Sequence, residues 1–188
     1  TKASMDVAEA RELPHLLAQA FRMAVDGSPR PVHLDVNGLG GEVIERGEVP
    51  DAVLPEPVLG RLPVHRPIAA RDAITAAAER LMRAERPIMV IGAGAIQVDA
   101  NAAILSLAER CNIPVATSLG GRTIIPTTHP LHVGTVGTYS APPANRLVHE
   151  ADLVIFVGCH AGDQPTNNYT VPAQGTAIIQ IDLDGQEI

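Results

Sequence analysis

The residues with most to offer a ligand sit in one short run, Arg86-Pro87-Ile88-Met89-Val90-Ile91-Gly92-Ala93-Gly94-Ala95. Ile88 to Ile91 is apolar and stops at glycine, as a buried strand does where it meets a tight turn, and a helical pattern follows from Val98 to Cys111. A strand, a glycine turn and a helix open a βαβ unit whose turn aims backbone N–H groups at an anion. The match to a dinucleotide fingerprint is partial. Its third glycine would fall three residues after Gly94, where Gln97 stands, and the next strand closes on Thr117 and Ser118, where an NAD site places Asp or Glu for the ribose hydroxyls. A Rossmann-like fold without a standard NAD site is therefore expected. The same glycines could instead serve only to let helix and strand pack closely.

Other reactive side chains form no constellation. Cys111 on a helix and Cys159 just past a strand have neither metal-ligand spacing nor a disulfide framework, and both are expected to be buried or half-buried thiols. His33 and His65 have no partner nearby in sequence and read as solvated or packed. No Gly-x-Ser-x-Gly elbow marks a hydrolase.

The elements that must position these residues follow from composition and pattern. The chain has 188 residues, 46% of them hydrophobic but only 2% aromatic, so its core must be built from Ala, Val, Ile and Leu. That suits strands sandwiched between Ala-rich helices. A net charge of −7 with no Lys/Arg cluster argues against nucleic acid as a partner. Without a signal-peptide pattern at Thr1 or an apolar run long enough to cross a bilayer, a soluble, cytoplasmic protein without membrane contact is expected.

Leu13, Leu16, Leu17, Ala20, Phe21 and Ala24 recur at helical spacing, with Pro14 tolerated in the first turn and Gly27 placed to end the helix. Val32-His33-Leu34-Asp35-Val36 then alternates like a strand. One helix and one strand cannot close a core, so residues 1–37 read as the tail of another domain. Residues 38–67, with Gly38, Gly40 and Gly41 followed by Pro50, Pro55, Pro57, Pro63 and Pro67, read as an extended interdomain linker. The main domain, residues 68–188, opens with a helix from Asp72 carrying Ile74, Ala77, Ala78, Leu81 and Met82 on one face. The next helix should bury Ala100, Ala103, Ile104, Leu107, Ala108 and Cys111. Leu119 to Ser140 reads as a glycine- and threonine-rich loop, in which Gly134-Thr135-Val136-Gly137 lets backbone approach something closely. A helix over Pro142 to Glu150, a strand over Leu153 to Val157 and a last strand over Ala177 to Leu183 complete the pattern. Strands thus end at Gly92, Ser118, Gly158 and Asp182, which in an open parallel sheet line the edge where ligands sit.

Taken in order, Gly92-Ala93-Gly94-Ala95, Ala108-Glu109, Ile113 to Ser118, Gly121-Arg122, Ile125-Pro126, His129-Pro130-Leu131, Gly134 with Gly137, Glu150 to Gly158, and Ile181-Asp182-Leu183-Asp184 carry a family likeness. They resemble the central domain of thiamine diphosphate-dependent enzymes of the acetolactate synthase type. Ala20-Phe21 through Pro31 to Val36 is similar to the last helix and strand of the pyrimidine-binding domain that precedes it. The resemblance implies an α/β, Rossmann-like (DHS-like NAD/FAD-binding) three-layer domain with a parallel sheet of about six strands, plus an N-terminal helix–strand remnant. It also implies a middle piece of a three-domain homo-dimer or homo-tetramer, a decarboxylase or carboligase acting on a small 2-keto acid. The thiamine diphosphate and Mg²⁺ sites would lie in the two remaining domains.

By that resemblance no catalytic or metal-binding residue belongs to this stretch, and alone it would be inactive. Gly162-Asp163-Gln164 with Asn167-Asn168 looks like the family's Mg²⁺–diphosphate motif, but its third residue is wrong and its spacing too short, so it reads as a polar loop. A nucleotide of FAD or ADP type, where a relative of this kind holds one, would be met by Gly92, Gly94, Thr117, Leu119, Gly121, Gly134, Gly137, His160, Asp182 and Leu183. His160 stands where the resemblance places a flavin-contacting arginine, and Gln164 where it places a second one. A neutral imidazole lacks the fixed cationic fork of arginine. A stand-alone Rossmann-like nucleotide-binding module or dehydrogenase fragment is the alternative, and it predicts saturable NAD or NADP binding. A sirtuin-like deacylase would need two cysteine pairs for zinc, and two lone cysteines do not supply them.

Overall fold

The structure, a computed structural model, describes residues 1–36, 48–51, 64–140, 142–185 and 187. Most of the linker read over 38–67 lies outside the described residues. The chain divides into two compact units, Thr1–Arg66 and Pro67–Ile188.

In the first unit, strand β1 (Ala3–Val7) leads through a 3₁₀ turn at Ala10–Glu12 into helix α1 (Leu13–Val25) and strand β2 (Val32–Val36). β1 and β2 pair in parallel from Ala3↔Val32 to Val7↔Val36, making a complete βαβ unit rather than the helix and single strand expected. β1 has the alternation of a strand: Ser4 and Asp6 are exposed, while Ala3 and Met5 are half-buried and Val7 is fully buried. Glu12 reaches back to the backbone N–H of Glu9 at 3.1 Å, fixing the entry to α1. Of the apolar residues predicted to face inward on α1, Ala20 is buried, whereas Leu17 and Phe21 are exposed.

The second unit contains helix α2 (Arg71–Arg83), strand β3 (Pro87–Ile91), the short helix α3 (Ala93–Gln97), helix α4 (Asn101–Cys111), strands β4 (Val115–Thr117) and β5 (His132–Thr135), helix α5 (Pro142–Glu150), and strands β6 (Leu153–Val157) and β7 (Ala177–Ile181). Its strands form one parallel sheet in the order β5-β4-β3-β6-β7. Among the described residues this sheet has five strands where about six were expected. One of the five, β5, lies inside the stretch read as a loop.

Alternate residues of the central strands feed two cores. Ile88, Val90, Ala116, Val154 and Phe156 pack with Ala144 and Val148 of α5, while Met89, Ile91, Val115, Leu153 and Ile155 pack with Ile104 and Ala108 of α4. Helices on both faces of a parallel sheet give the three-layer Rossmann-like arrangement. Three helix expectations need correction. The helix read from Val98 begins only at Asn101, after a break at Asp99, whose φ is +56°, and a short helix not expected from the sequence, α3, precedes it at Ala93–Gln97. On α4, Ala103, Leu107 and Cys111 are exposed, so Cys111 is not the buried thiol expected. On α2, Leu81 and Ala77 are half-buried but Ile74 and Met82 are exposed, and no residue of that helix is fully buried.

Asp152 ties the start of β6 to the start of β3. Its carboxylate accepts from the backbone N–H groups of Glu85 at 2.7 Å and Arg86 at 2.9 Å, and Arg86 Nε donates to the Glu150 carbonyl at 2.9 Å. Burial disfavours the charged form, but these amides and the Arg86 charge outweigh it, holding the carboxyl below its usual 3.8.

Candidate functional site

Because all five strands run the same way, the loops after β3, β4, β5, β6 and β7 emerge along one edge of the sheet. Gly92 closes β3 and caps α3. Its N–H donates to the Val157 carbonyl at 2.9 Å, and the Gly94 N–H donates to the Gly158 carbonyl at 2.9 Å. A Cβ on Gly92 would stand 2.1 Å from Gly158 O and 2.4 Å from Cys159 Cα, and one on Gly158 would stand 2.3 Å from the Ala95 nitrogen. Gly158 also has φ +54°, a conformation that an L side chain resists. The glycine turn is thus interlocked with the end of β6, the packing role weighed above.

After β4, Thr117 is fully buried; its carbonyl accepts from Val136 N–H at 2.9 Å, while its Oγ1 has no hydrogen-bond partner. The Ser118 N–H donates to Ile91 O at 2.8 Å, and Ser118 Oγ accepts from the Gly121 N–H at 3.2 Å, closing a 3₁₀ turn over Leu119–Gly121. Gly121 has no room for a Cβ, which would come 2.1 Å from Ile91 O. Leu119 is 40% exposed beside it. Within β5, Gly134 (φ +102°) follows a register shift opposite Val115 and Ala116.

Gly137, next along, is held by one side chain. Asn145 Oδ1 accepts from its N–H at 2.8 Å, and Asn145 Nδ2 donates to its carbonyl at 3.1 Å. The following residue, Thr138, donates its N–H to Gln164 O at 2.9 Å, joining the loops after β5 and β6.

Around the end of β6, Cys159 is buried, and its thiol is pushed up to about 12, first by burial and then by the charges of Asp182 and Glu187, with a hydrogen bond to Ser118 opposing. The thiol therefore stays protonated and unreactive at neutral pH. Gln180 Nε2 donates to the Cys159 carbonyl at 3.0 Å. His160 is exposed and pairs through Nδ1 with Glu187 Oε2 at 2.6 Å. Asp182 Oδ1 accepts from the Asp184 N–H at 3.0 Å, and Leu183 between them is half-buried.

In the loop carrying Gly162-Asp163-Gln164 and Asn167-Asn168, the Asp163 and Asn167 side chains bond to the loop itself, while Gln164 Nε2 is buried without a partner. Asp163 Oδ1 accepts from Gln164 N–H at 2.8 Å, and Asn167 Nδ2 donates to Thr170 Oγ1 at 3.0 Å. Asn167, Asn168 and Tyr169 have φ of +50°, +56° and +61°, a left-handed turn pinned by Thr166 Oγ1, which accepts from Tyr169 N–H at 3.0 Å. Among the described residues no group of three or more His, Cys, Asp or Glu converges to hold a metal ion.

The structure therefore gathers Gly92, Gly94, Thr117, Gly121 and Gly137 by direct backbone contacts to neighbouring strand ends, with His160, Asp182 and Leu183 on the loops after β6 and β7. Reading the sequence missed Ser118 Oγ, Asn145 and Glu187. Of these only Asn145 left a signal, as a polar residue beside the inward-facing Ala144 and Val148 of α5.

Curated proteins match this chain along its whole length. The chain is 34% identical to a protein named probable acetolactate synthase large subunit from Methanocaldococcus jannaschii, 34% to glyoxylate carboligase from Escherichia coli O157:H7 and 31% to an acetolactate synthase large subunit from Corynebacterium glutamicum. All of this chain is aligned in each case, against 32%, 31% and 29% of the relative, so it spans about a third of the length of these curated relatives. Residues 74–188, which include all of the five-stranded sheet, match the family model described as the thiamine pyrophosphate enzyme central domain, and the chain belongs to that family.

Proposed function

We propose that this chain is an interdomain scaffold within a thiamine diphosphate-dependent enzyme that decarboxylates or ligates small 2-keto acids. In this reading residues 1–37 belong to a pyrimidine-binding domain, 38–67 connect, and 68–188 form the central domain of a homo-dimer or homo-tetramer working in the cytoplasm. The observation that carries it is how the strand ends are used: the polar groups described there bond mainly to one another, as a rigid spacer requires, and the Cys159 thiol among them is buried and held protonated. Thiamine diphosphate, when bound with Mg²⁺ by the outer domains, supplies the electron sink for loss of CO₂. This chain's residues would then hold those domains at a fixed separation. The dehydrogenase alternative is weakened at Ser118, whose hydroxyl is bonded to the Gly121 amide where an NAD site needs a free carboxylate.

The test is turnover of pyruvate and of glyoxylate, with thiamine diphosphate and Mg²⁺ supplied. The 188-residue chain alone should release no CO₂, and the complete polypeptide containing it should. Turnover by the chain alone, or none by the complete polypeptide with either acid, would refute the reading.

A further inference from the structure

The resemblance that names this fold also implies a nucleotide of FAD or ADP type at the edge where the strands end, and the residues there can be tested against it. A diphosphate needs unspent backbone donors and a cation. At the glycine turn two donors are spent, Gly92 N–H on Val157 O and Gly94 N–H on Gly158 O. On the side where a Cβ would project, protein fills the space at those glycines: a Cβ on Gly92 would meet Gly158 O and Cys159, and one on Gly94 would lie 3.0 Å from Gly158 O. On the other side the turn at Leu119–Gly121 packs against the start of α3, leaving a Cβ on Gly120 only 3.1 Å from Ala93 Cβ. Ala93 itself stays exposed, but α3 runs for only five residues, too short to present much of a dipole to an anion.

Charge points the same way. His160 stands where a cation is called for, and it is committed to Glu187 at 2.6 Å. The charges of Asp182 and Glu187 both act on the Cys159 thiol, so the field at the end of β6 is negative. Arg122, exposed one residue past the Leu119–Gly121 turn, is a single solvated charge against them. Among the described residues three buried side-chain atoms lack a partner, Thr117 Oγ1, His132 Nε2 and Gln164 Nε2. Thr117 is fully buried and offers nothing at the surface of that edge, His132 opens β5 at the opposite end of the sheet, and the Gln164 amide is uncharged where a diphosphate calls for a cation.

We infer that this central domain is closed to a flavin or adenine dinucleotide-type group, its strand-end edge being sealed by its own backbone between Gly92, Gly94 and Gly158. The inference deepens the scaffold reading and rests on it only for the choice of ligand. Two measurements test it separately from activity. The complete enzyme, purified without added nucleotide, should show no visible flavin absorbance, and the folded 188-residue chain, its fold checked by circular dichroism, should show no shift in melting temperature with about 1 mM FAD or ADP. A micromolar site saturated at that concentration would raise the melting temperature by several degrees. Co-purifying flavin, or such a shift that disappears in His160→Ala or Arg122→Ala, would overturn the inference while leaving the scaffold reading intact. Loss of 2-keto acid turnover without flavin or a shift would sink the scaffold reading and leave this one standing.

Discussion

The two compact units of this chain are both built from parallel β–α–β connections, yet they bury their residues very differently. The smaller has two strands and one helix, and Val7, Ala10 and Ala20 are the hydrophobic residues it buries among those described. The larger has helices on both faces of its sheet and two separate cores that share the alternating residues of β3 and β6. A single βαβ unit covers one face of a two-stranded sheet and leaves both strand edges unpaired, whereas a central strand such as β3 is enclosed on every side. Among the described residues the same local grammar therefore encloses far fewer side chains in the smaller unit than in the larger.

Paired substitutions can break or sharpen that contrast. The largest effect is expected at Phe156, 2% exposed in the larger unit, where truncation to Ala should cost about 3–5 kcal/mol in a denaturant melt. Phe21→Ala in the smaller unit, where Phe21 is 59% exposed, should change stability by less than about 0.5 kcal/mol. Equal losses at the two positions would erase the distinction.

Glycines give a second pair. Gly92→Ala must push back Gly158 and Cys159 and should cost about 3 kcal/mol, with the Cys159 thiol becoming open to alkylation before global unfolding. Gly27→Ala meets nothing within 4 Å, so only its φ of +57° opposes the change, at about 1 kcal/mol. If Gly27→Ala proves the more damaging of the two, the smaller unit is better packed than its burial suggests.

An effect well below that at Gly92 is expected at Asp152, where Asn should cost about 1 kcal/mol at neutral pH, discounted for solvent screening. Because the folded-state pKa of Asp152 is lowered, its contribution is complete above its unfolded value of 3.8 and is lost as pH falls through the folded value. The melting temperatures of wild type and Asp152→Asn should therefore converge in acid. A gap that widens instead would mean the carboxylate is not the group the amides hold.

Long apolar runs were legible from sequence. β3 and β6 are continuous hydrophobic stretches between turn residues, and α1, α4 and α5 carry helical periodicity, so their existence followed from pattern. β5 did not, because His132-Val133-Gly134-Thr135 is short, half-buried and interrupted by a glycine at positive φ, so no period could form. β1 was overlooked although its alternation of Ser4 and Asp6 with Met5 and Val7 is clear, because its apolar positions are few and only Val7 is large and β-branched. At the strand ends, Gly92, Thr117, Gly137 and His160 lie on loops or strand ends along one edge of the sheet, as their types suggest. What they could not convey is which donors remain unspent. That depends on Gly158 and Glu187, which meet Gly94 and His160 only once β6 and the segment after β7 are in place. Exposure of Ile74 and Met82 was equally invisible, because amphipathic spacing says which face of a helix is apolar but not whether anything covers it.

The grip of Asn145 on Gly137 has a mechanical corollary. One amide side chain engages both the donor and the acceptor of a single residue, much as one nucleobase reads another, so helix α5 cannot slide or tilt without carrying that peptide with it. Since Thr138, the next residue, is tied to Gln164, a push on α5 would be relayed as a lever stroke to a second loop. Aspartate at 145 would keep one half of the grip and lose the other, uncoupling the lever while leaving its fulcrum in place.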